Sequence, residues 1–316
     1  MRRTWSELVR ETRWLTSSRA ALLLATAAVA AAVWGAVSGA TSVLSAVATF
    51  HGTLDRYRSH GEDIAGALSA PSVVTGDAAQ QIISNPLRYD LDQAALAYTQ
   101  VLPTGAASST LSLCALLFFP LIGFAFGVFV STHDVTSGSI VFRWPRAGLI
   151  PFAASKPLLI VLVMCALAAV TGATAVPLSL LAQLSVDRAA ADVTAFVGAA
   201  PSLQRTATIG TLAVLTGSVS GALGLFVGSV TRNRTFTIAA FGLAYFLVPL
   251  IGRIDPRNLV TSAGAKAFYF VGQFQPQGIG TTRPWVAVVV LIAGGVCLVG
   301  LSLIPWRVRA RTARHS

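Results

Sequence analysis

Lys156 and Lys266 are the only lysines in the chain, and both bear on energy-coupled chemistry. A Walker A loop needs a Gly-Lys pair, because the lysine reaches the phosphates from a glycine-rich turn. Here Ser155 and Ala265 precede the lysines, so ATP hydrolysis by that motif falls outside this chain. A buried serine nucleophile fails as well. Gly217-Ser218-Val219-Ser220-Gly221 has the outline of a nucleophile elbow, but Val219 occupies its centre. His51, His60, His133 and His315 all lie outside the apolar runs, so no base is placed for a serine within them. Cys114, Cys165 and Cys297 sit inside apolar runs and read as packing residues, not as a disulfide framework or metal cluster. No catalytic, cofactor-binding or metal-ligating residue is assigned. What remains is contact chemistry in residues 131–156. Asp134 lies four residues before Gly138, then come Ile140-Val141-Phe142, Arg143, the break Trp144-Pro145, and Arg146. An acidic group near a helix start suits the positive end of the dipole and can also meet a basic partner. Two readings stand side by side: an interfacial helix that engages a partner, or a basic loop anchoring two spans.

The elements that position these residues are membrane spans. Hydrophobic residues make up 54% of the chain and charged ones 11%, far from soluble averages. Apolar runs long enough to cross a bilayer, about 20 residues each, place six spans near 20–50, 109–130, 157–181, 206–230, 235–251 and 285–305. The fold class expected is an all-α integral membrane protein with a single transmembrane domain over 20–316. Ahead of it, residues 1–19 form an amphipathic helix lying on the membrane surface. Thr4-Trp5-Ser6-Glu7 has capping-box spacing; Trp5, Leu8, Val9 and Leu15 share one face, with Glu7, Arg10 and Glu11 opposite and Trp14 off pattern. Glu7 and Glu11 in the polar lead argue against a signal peptide. Residues 51–108 read as a polar outer segment. Within it a helical pattern opens at Asp90 and runs through Leu96 and Tyr98 to Pro103, a small cap or a linker. Pro120 and Pro177 mark kinks, and residues 266–270 a re-entrant or interfacial piece.

The net charge of +11 would suggest nucleic acid for a soluble chain, but its distribution follows a membrane instead. The N-terminus, loop 131–156, turn 231–234 and the C-terminal tail carry most of the arginines, with Glu7, Glu11 and Asp134 as the only acids on that side. The positive-inside rule therefore puts both termini in the cytoplasm of a multi-pass cell-membrane protein, with no nucleic-acid partner. Arg253, Arg257, Lys266 and Arg283 run against that assignment on the outer side. No charged residue falls near the middle of a span, which counts against an ion-coupled transporter. Glycines are prominent instead. Gly217, Gly221, Gly224 and Gly228 repeat at i, i+4, i+7 and i+11 on one face, and Gly35/Gly39 and Gly123/Gly127 form further G-x-x-x-G pairs. Such a stripe is a sliding or dimer face, or ordinary packing within the chain.

A surface helix, six spans, a large first outer loop, a loop after the second span and a tight turn after the fourth resemble an ABC-2 type permease, the membrane subunit of many ABC exporters. That family commonly has an acidic residue four before a Gly-Thr/Ser-Leu-like triplet, and Asp134 and Gly138-Ser139-Ile140 take those places. Pro145, Arg146 and Lys156 match a usual Pro, Arg and Lys ahead of the third span. Asp stands where Glu is usual, and the intervals from Gly to Pro and from Arg to Lys differ. The resemblance implies a coupling helix docking into a separate cytoplasmic ATPase, which would hold ATP and Mg, and two permease chains, identical or related, enclosing the path. Asp134, Gly138, Ile140, Phe142, Arg143 and Arg146 become the expected coupling residues, with Asp134 and Phe142 dispensable for insertion. The alternatives are a membrane scaffold or assembly factor recruiting a cytosolic protein through the same loop, and an uncoupled facilitator.

Overall fold

Long apolar runs with few helix-breaking residues give long helices, and these dominate the chain. The computed structural model describes residues 2–75, 82–136, 143, 146, 148–231, 233–248, 252–270 and 282–312. Helix α1, Arg2–Ser17, lies against the bundle and is followed at Ser18 by one extended residue. Since α1 begins at Arg2, Thr4 lies inside the helix and the expected capping box is not made.

Helix α2 runs Arg19–His60, 42 residues or about 63 Å at 1.5 Å per residue, about twice the bilayer's hydrocarbon thickness. The expected span ended at Phe50, but the helix continues ten residues further. It stops at Gly61, whose φ of 68° only glycine adopts readily, with Gly61 N–H bonding Arg58 O and Glu62 N–H bonding Tyr57 O. The outer segment then packs back on α2 through α3, Ile64–Ser69, the short antiparallel pair β1, Val74–Thr75, with β2, Ile82–Ile83, and α4, Pro86–Tyr98. Asn85 caps α4 by accepting from Arg88 N–H, with Pro86 opening the first turn, so the helix starts four residues before the expected Asp90. Leu87, Leu91 and Ala94 of α4 bury against Val43, Val47 and Phe50 of α2 in a core separate from that of the main bundle. Tyr98 donates to Asp187 at 2.6 Å; burial, with help from that carboxylate, pushes its phenol up to about 12.

The next rod is continuous from α5, Pro103–Leu113, through a π-helical turn, Cys114–Phe118, into α6, Phe119–Thr136. Pro120 explains the turn, because it brings no N–H to the helical ladder and frees a carbonyl one turn back. The Tyr245 hydroxyl donates to Leu116 O, and Thr216 Oγ1 donates to Ala115 O at 3.0 Å. Partners on neighbouring helices thus satisfy what the proline disturbs, as a lipid-embedded backbone requires.

Helix α7, Leu149–Val186, carries Pro157 and Pro177 internally, and α8, Leu203–Thr231, follows. After a turn, Asn233 caps α9, Arg234–Leu247. The expected fifth span reached Ile251, but α9 has only 14 residues, about 21 Å, and is too short to cross. The chain resumes as α10, Pro256–Gly264. The break between them is built from one ion pair. Asp255 accepts from Arg257 N–H to cap α10, while Arg257 donates to Tyr245 O and Val248 O at the end of α9 and pairs with Asp255 at 2.7 Å. That hydrogen bond holds the Arg257 guanidinium above its ordinary pKa. Residues 265–270 then turn inward: Tyr269 N–H donates to Ser112 Oγ, its hydroxyl meets Thr99, and Arg205 binds Ala267 O and Phe268 O. The last helix, α11, covers Pro284–Thr312.

Among the described residues, five helices are long and apolar enough to cross a membrane: Arg19–His60, Pro103–Asp134, Ile150–Val186, Leu203–Thr231 and Pro284–Arg307. Their outward faces carry exposed apolar residues, with Leu22, Leu23 and Val37 on α2 and Trp285, Val289 and Val296 on α11. Apart from the β1–β2 pair, the described residues form an all-α membrane protein.

The tightest packing in the bundle joins α6 and α8. A Cβ added at Gly123 or Gly127 of α6 would collide with the carbonyl oxygen of Gly217 or Gly221 of α8. One added at Gly224 would collide with Phe124 O. At Gly228 it would meet Ser131 Oγ and the Val128 backbone. The glycine stripe and the Gly123/Gly127 pair are thus two halves of one contact within the chain.

Candidate functional site

Glu7 and Glu11 stand one helical turn apart on α1, so their carboxylates share a face. That face points into the protein: Glu7 is 4% and Glu11 1% exposed, while Trp5 is 67% exposed. The expected polarity of α1 is corrected here. Leu8 and Leu15 are buried beside the two acids, and Trp5 is on the outside. The reason lies in what α1 packs on. Asp134 near the end of α6 and Lys156 early in α7 are both buried, at 0% and 1% exposure, and form an ion pair at 2.5 Å. Lys156 Nζ also donates to Val130 O at 3.1 Å and lies 3.6 Å from Glu11.

Arg143 joins the three elements. One terminal nitrogen donates to Asp134 at 2.6 Å; the other donates to Glu7 at 2.8 Å and Glu11 at 2.7 Å. Burial pulls the guanidinium's pKa down, but Glu11 and Asp134 more than reverse this and leave it above its ordinary value. From the surface, Arg10 adds a bond to Glu7 at 3.0 Å. Three carboxylates and three cations balance, and this neutrality is what makes burial tolerable. Aromatic rings close the cluster. Lys156 Nζ is 4.8 Å from the Phe152 ring centre and 5.4 Å from that of Trp306, and Arg143 is 5.2 Å from Phe152. Trp306, itself 1% exposed, brings α11 into the same site.

Neighbouring contacts extend it. Trp14 of α1 stacks on His133 of α6, centroids 3.9 Å apart, and Arg234 at the start of α9 donates to Thr132 Oγ1 at 2.6 Å. The N-terminal helix, the end of α6, the connecting loop, the start of α7, the turn before α9 and the end of α11 meet at the basic end of the bundle. Chemically the arrangement is a clamp that holds elements in fixed relation. Among the described residues, no group of three or more His, Cys, Asp or Glu side chains is arranged to hold a metal.

Of the residues singled out in the sequence, Asp134 and Arg143 are brought together here, and Arg146 is exposed three residues on. Gly138, Ile140 and Phe142 lie outside the described residues. Asp134 was expected to face a partner and to be dispensable for insertion. Its carboxylate is buried against Arg143 and Lys156. Glu7, Glu11 and Trp306 were missed as site residues, and Lys156 stood out only through a family pattern. One signal was available: Glu7, Glu11 and Asp134 are the only acids on the basic side, and all three converge here.

These features define the class, an all-α membrane protein whose basic end is held by a buried ionic clamp. No protein-family model matches the chain, and neither a curated protein nor a solved structure does.

Proposed function

We propose that the chain is the membrane-spanning permease subunit of an ABC transporter, an exporter driven by a separate cytoplasmic ATPase subunit that carries ATP and Mg. In this reading both termini are cytoplasmic, the membrane is the cell membrane, a second permease chain completes the path, and this chain performs no hydrolysis itself. The supporting observation is Arg143. A loop that merely linked two spans would leave its arginine in water. Here the loop's arginine is held by carboxylates of α1 and α6, while Arg146 on the same loop stays exposed. Displacement of the loop by a docked ATPase would therefore be carried to α1, α6 and α7 at once, and through Phe152 and Trp306 to α11.

Purification of the tagged chain from its native membrane, followed by identification of what accompanies it, tests the reading. Expected is a soluble ATPase whose turnover depends on both chains, with Arg146→Glu weakening capture roughly tenfold, about 1.4 kcal/mol. A stable partner without nucleotide turnover would favour the scaffold instead. Sidedness is checked separately. Cysteines placed at Ser59 and Arg146, both exposed, in a chain lacking Cys114, Cys165 and Cys297, are expected to react with an impermeant reagent from opposite sides. Labelling from one side would overturn the proposed topology.

A further inference from the structure

The inner half of the outer segment leaves a groove along α2 that the described residues do not fill. Its volume is about 920 Å³, the size of a drug-like ligand site. The floor is a run of hydroxyls on α2, among them Ser38, Ser42 and Ser45; α4, α5 and the inward-turning residues 269–270 supply the walls. These serines do not behave as lipid-facing serines do. Exposed Thr26 and Thr174 elsewhere in the spans return their hydroxyls to carbonyls of their own helix, at 2.9 and 2.8 Å. The hydroxyls of Ser38, Ser42 and Ser45 have no partner among the described residues, nor has the Gln93 amide on the opposite wall, whereas Thr41 and Thr49 in the same lining bond the Ser38 and Ser45 carbonyls. Polar groups left open at the depth of a bilayer are costly unless water or a ligand meets them.

The two ends of the groove differ. At the outer end stands Asp90, half-buried, whose carboxylate accepts one hydrogen bond, from Thr53 Oγ1 at 2.7 Å. Arg56 binds the same Thr53 oxygen at 3.2 Å and forms no ion pair with Asp90. By contrast, Asp92 one turn-face away is already paired to Arg88 at 3.0 Å. At the inner end the lining turns apolar, with Trp34, Leu113, Leu117 and Phe270. From Trp34 to Thr53 is nineteen residues of helix, roughly 28 Å.

We infer that this groove is a binding site for an amphipathic organic cation, its charged head at Asp90 and its apolar body running inward over the serines toward Trp34. A carboxylate that forms no ion pair favours positive charge at the outer end, and the apolar, aromatic inner end accepts the body of the ligand. The inference deepens the permease reading by naming the chemistry of the cargo, but binding itself needs no ATPase.

The test uses the purified full chain in lipid nanodiscs without nucleotide or partner. Rhodamine 6G, a permanent cation, is the probe, fluorescein the anionic counterpart, and empty nanodiscs correct for partition into lipid. Saturable binding of rhodamine 6G over fluorescein is expected, weakened at least tenfold by Asp90→Asn and unchanged by Asp92→Asn. Ser45→Phe, at an exposed position, fills the groove without touching the carboxylate and is expected to abolish binding in a normally folded chain. Equal binding of fluorescein, binding by Asp90→Asn within twofold of the parent, or full binding by Ser45→Phe each overturns the inference. Such a failure leaves the permease reading intact, and failure to capture an ATPase leaves this site intact.

Discussion

Lys156→Met is expected to destabilise the fold by about 3–5 kcal/mol, the range for removing one partner of a buried ion pair. Methionine keeps the length of the stem and its packing against Phe152 and Trp306, so the loss is electrostatic. Asp134 would lose the Lys156 ammonium, and Val130 O would lose its Nζ contact. Arg143 cannot make up the difference, since its two terminal nitrogens are committed to Asp134, Glu7 and Glu11. The expected readout is a sharp drop in chain accumulated in membranes and in the thermal midpoint of what is purified. Arg146→Met, at an exposed position on the adjoining loop, should stay within about 0.5 kcal/mol of the parent. Adding Asp134→Asn to Lys156→Met should cost less than the two separately, with a coupling of about 0.5–3 kcal/mol. A Lys156→Met chain that unfolds within about 1 kcal/mol of the parent would mean that the cluster is hydrated and clamps nothing.

The spans were legible because a bilayer imposes a simple rule on length and polarity, and five of the six expected runs became helices long enough to cross. The sixth failed for a local reason. The run from Thr235 to Ile251 is apolar throughout, but it contains Pro249, and the residue before a proline resists helical geometry. The helix ends at Leu247, and Arg257, which sat awkwardly on the outer side in the charge count, binds the carbonyls that this ending exposes.

The face of α1 was misread for a different reason. At 100° per residue Glu7, Leu8, Glu11 and Leu15 fall within one arc of about 100°, so the acids share the buried face with the two leucines instead of opposing them. Polar faces usually meet water; this one meets Arg143, more than 130 residues later in the chain. The same distance hid the groove, since Ser38, Ser42 and Ser45 acquire a shared meaning only once α4 folds back and brings Asp90 beside Thr53. Local pattern gave the helices but missed several of their ends; long-range charge pairing and hydroxyl clustering needed the fold.

Gly224→Leu is expected to prevent the bundle from assembling. The position lies on α8 where it crosses α6, and a Cβ there would overlap the carbonyl oxygen, carbonyl carbon and Cα of Phe124. All three are backbone atoms, so no side-chain rotation relieves the clash; the helices must separate. Separation would also part the Gly123–Gly217 and Gly127–Gly221 approaches on either side and disturb the Phe124–Phe241 stack, centroids 3.8 Å apart, that holds α9. Overpacking a close core contact costs about 1–3 kcal/mol, and more where the backbone itself must move, so about 3 kcal/mol or more is expected here. Lipid offers no hydrophobic drive to hold the helices together against that strain. Gly221→Leu meets the Ile160 side chain first and should be severe but less so, because a methyl group can shift. Gly294→Leu, on α11 with nothing within 4 Å, should behave as the parent does. The measurement is the yield of monodisperse chain after solubilisation, followed by thermal unfolding of whatever is recovered. If Gly224→Leu and Gly294→Leu are recovered alike and melt alike, α6 and α8 do not meet as described, and the stripe faces lipid or another chain.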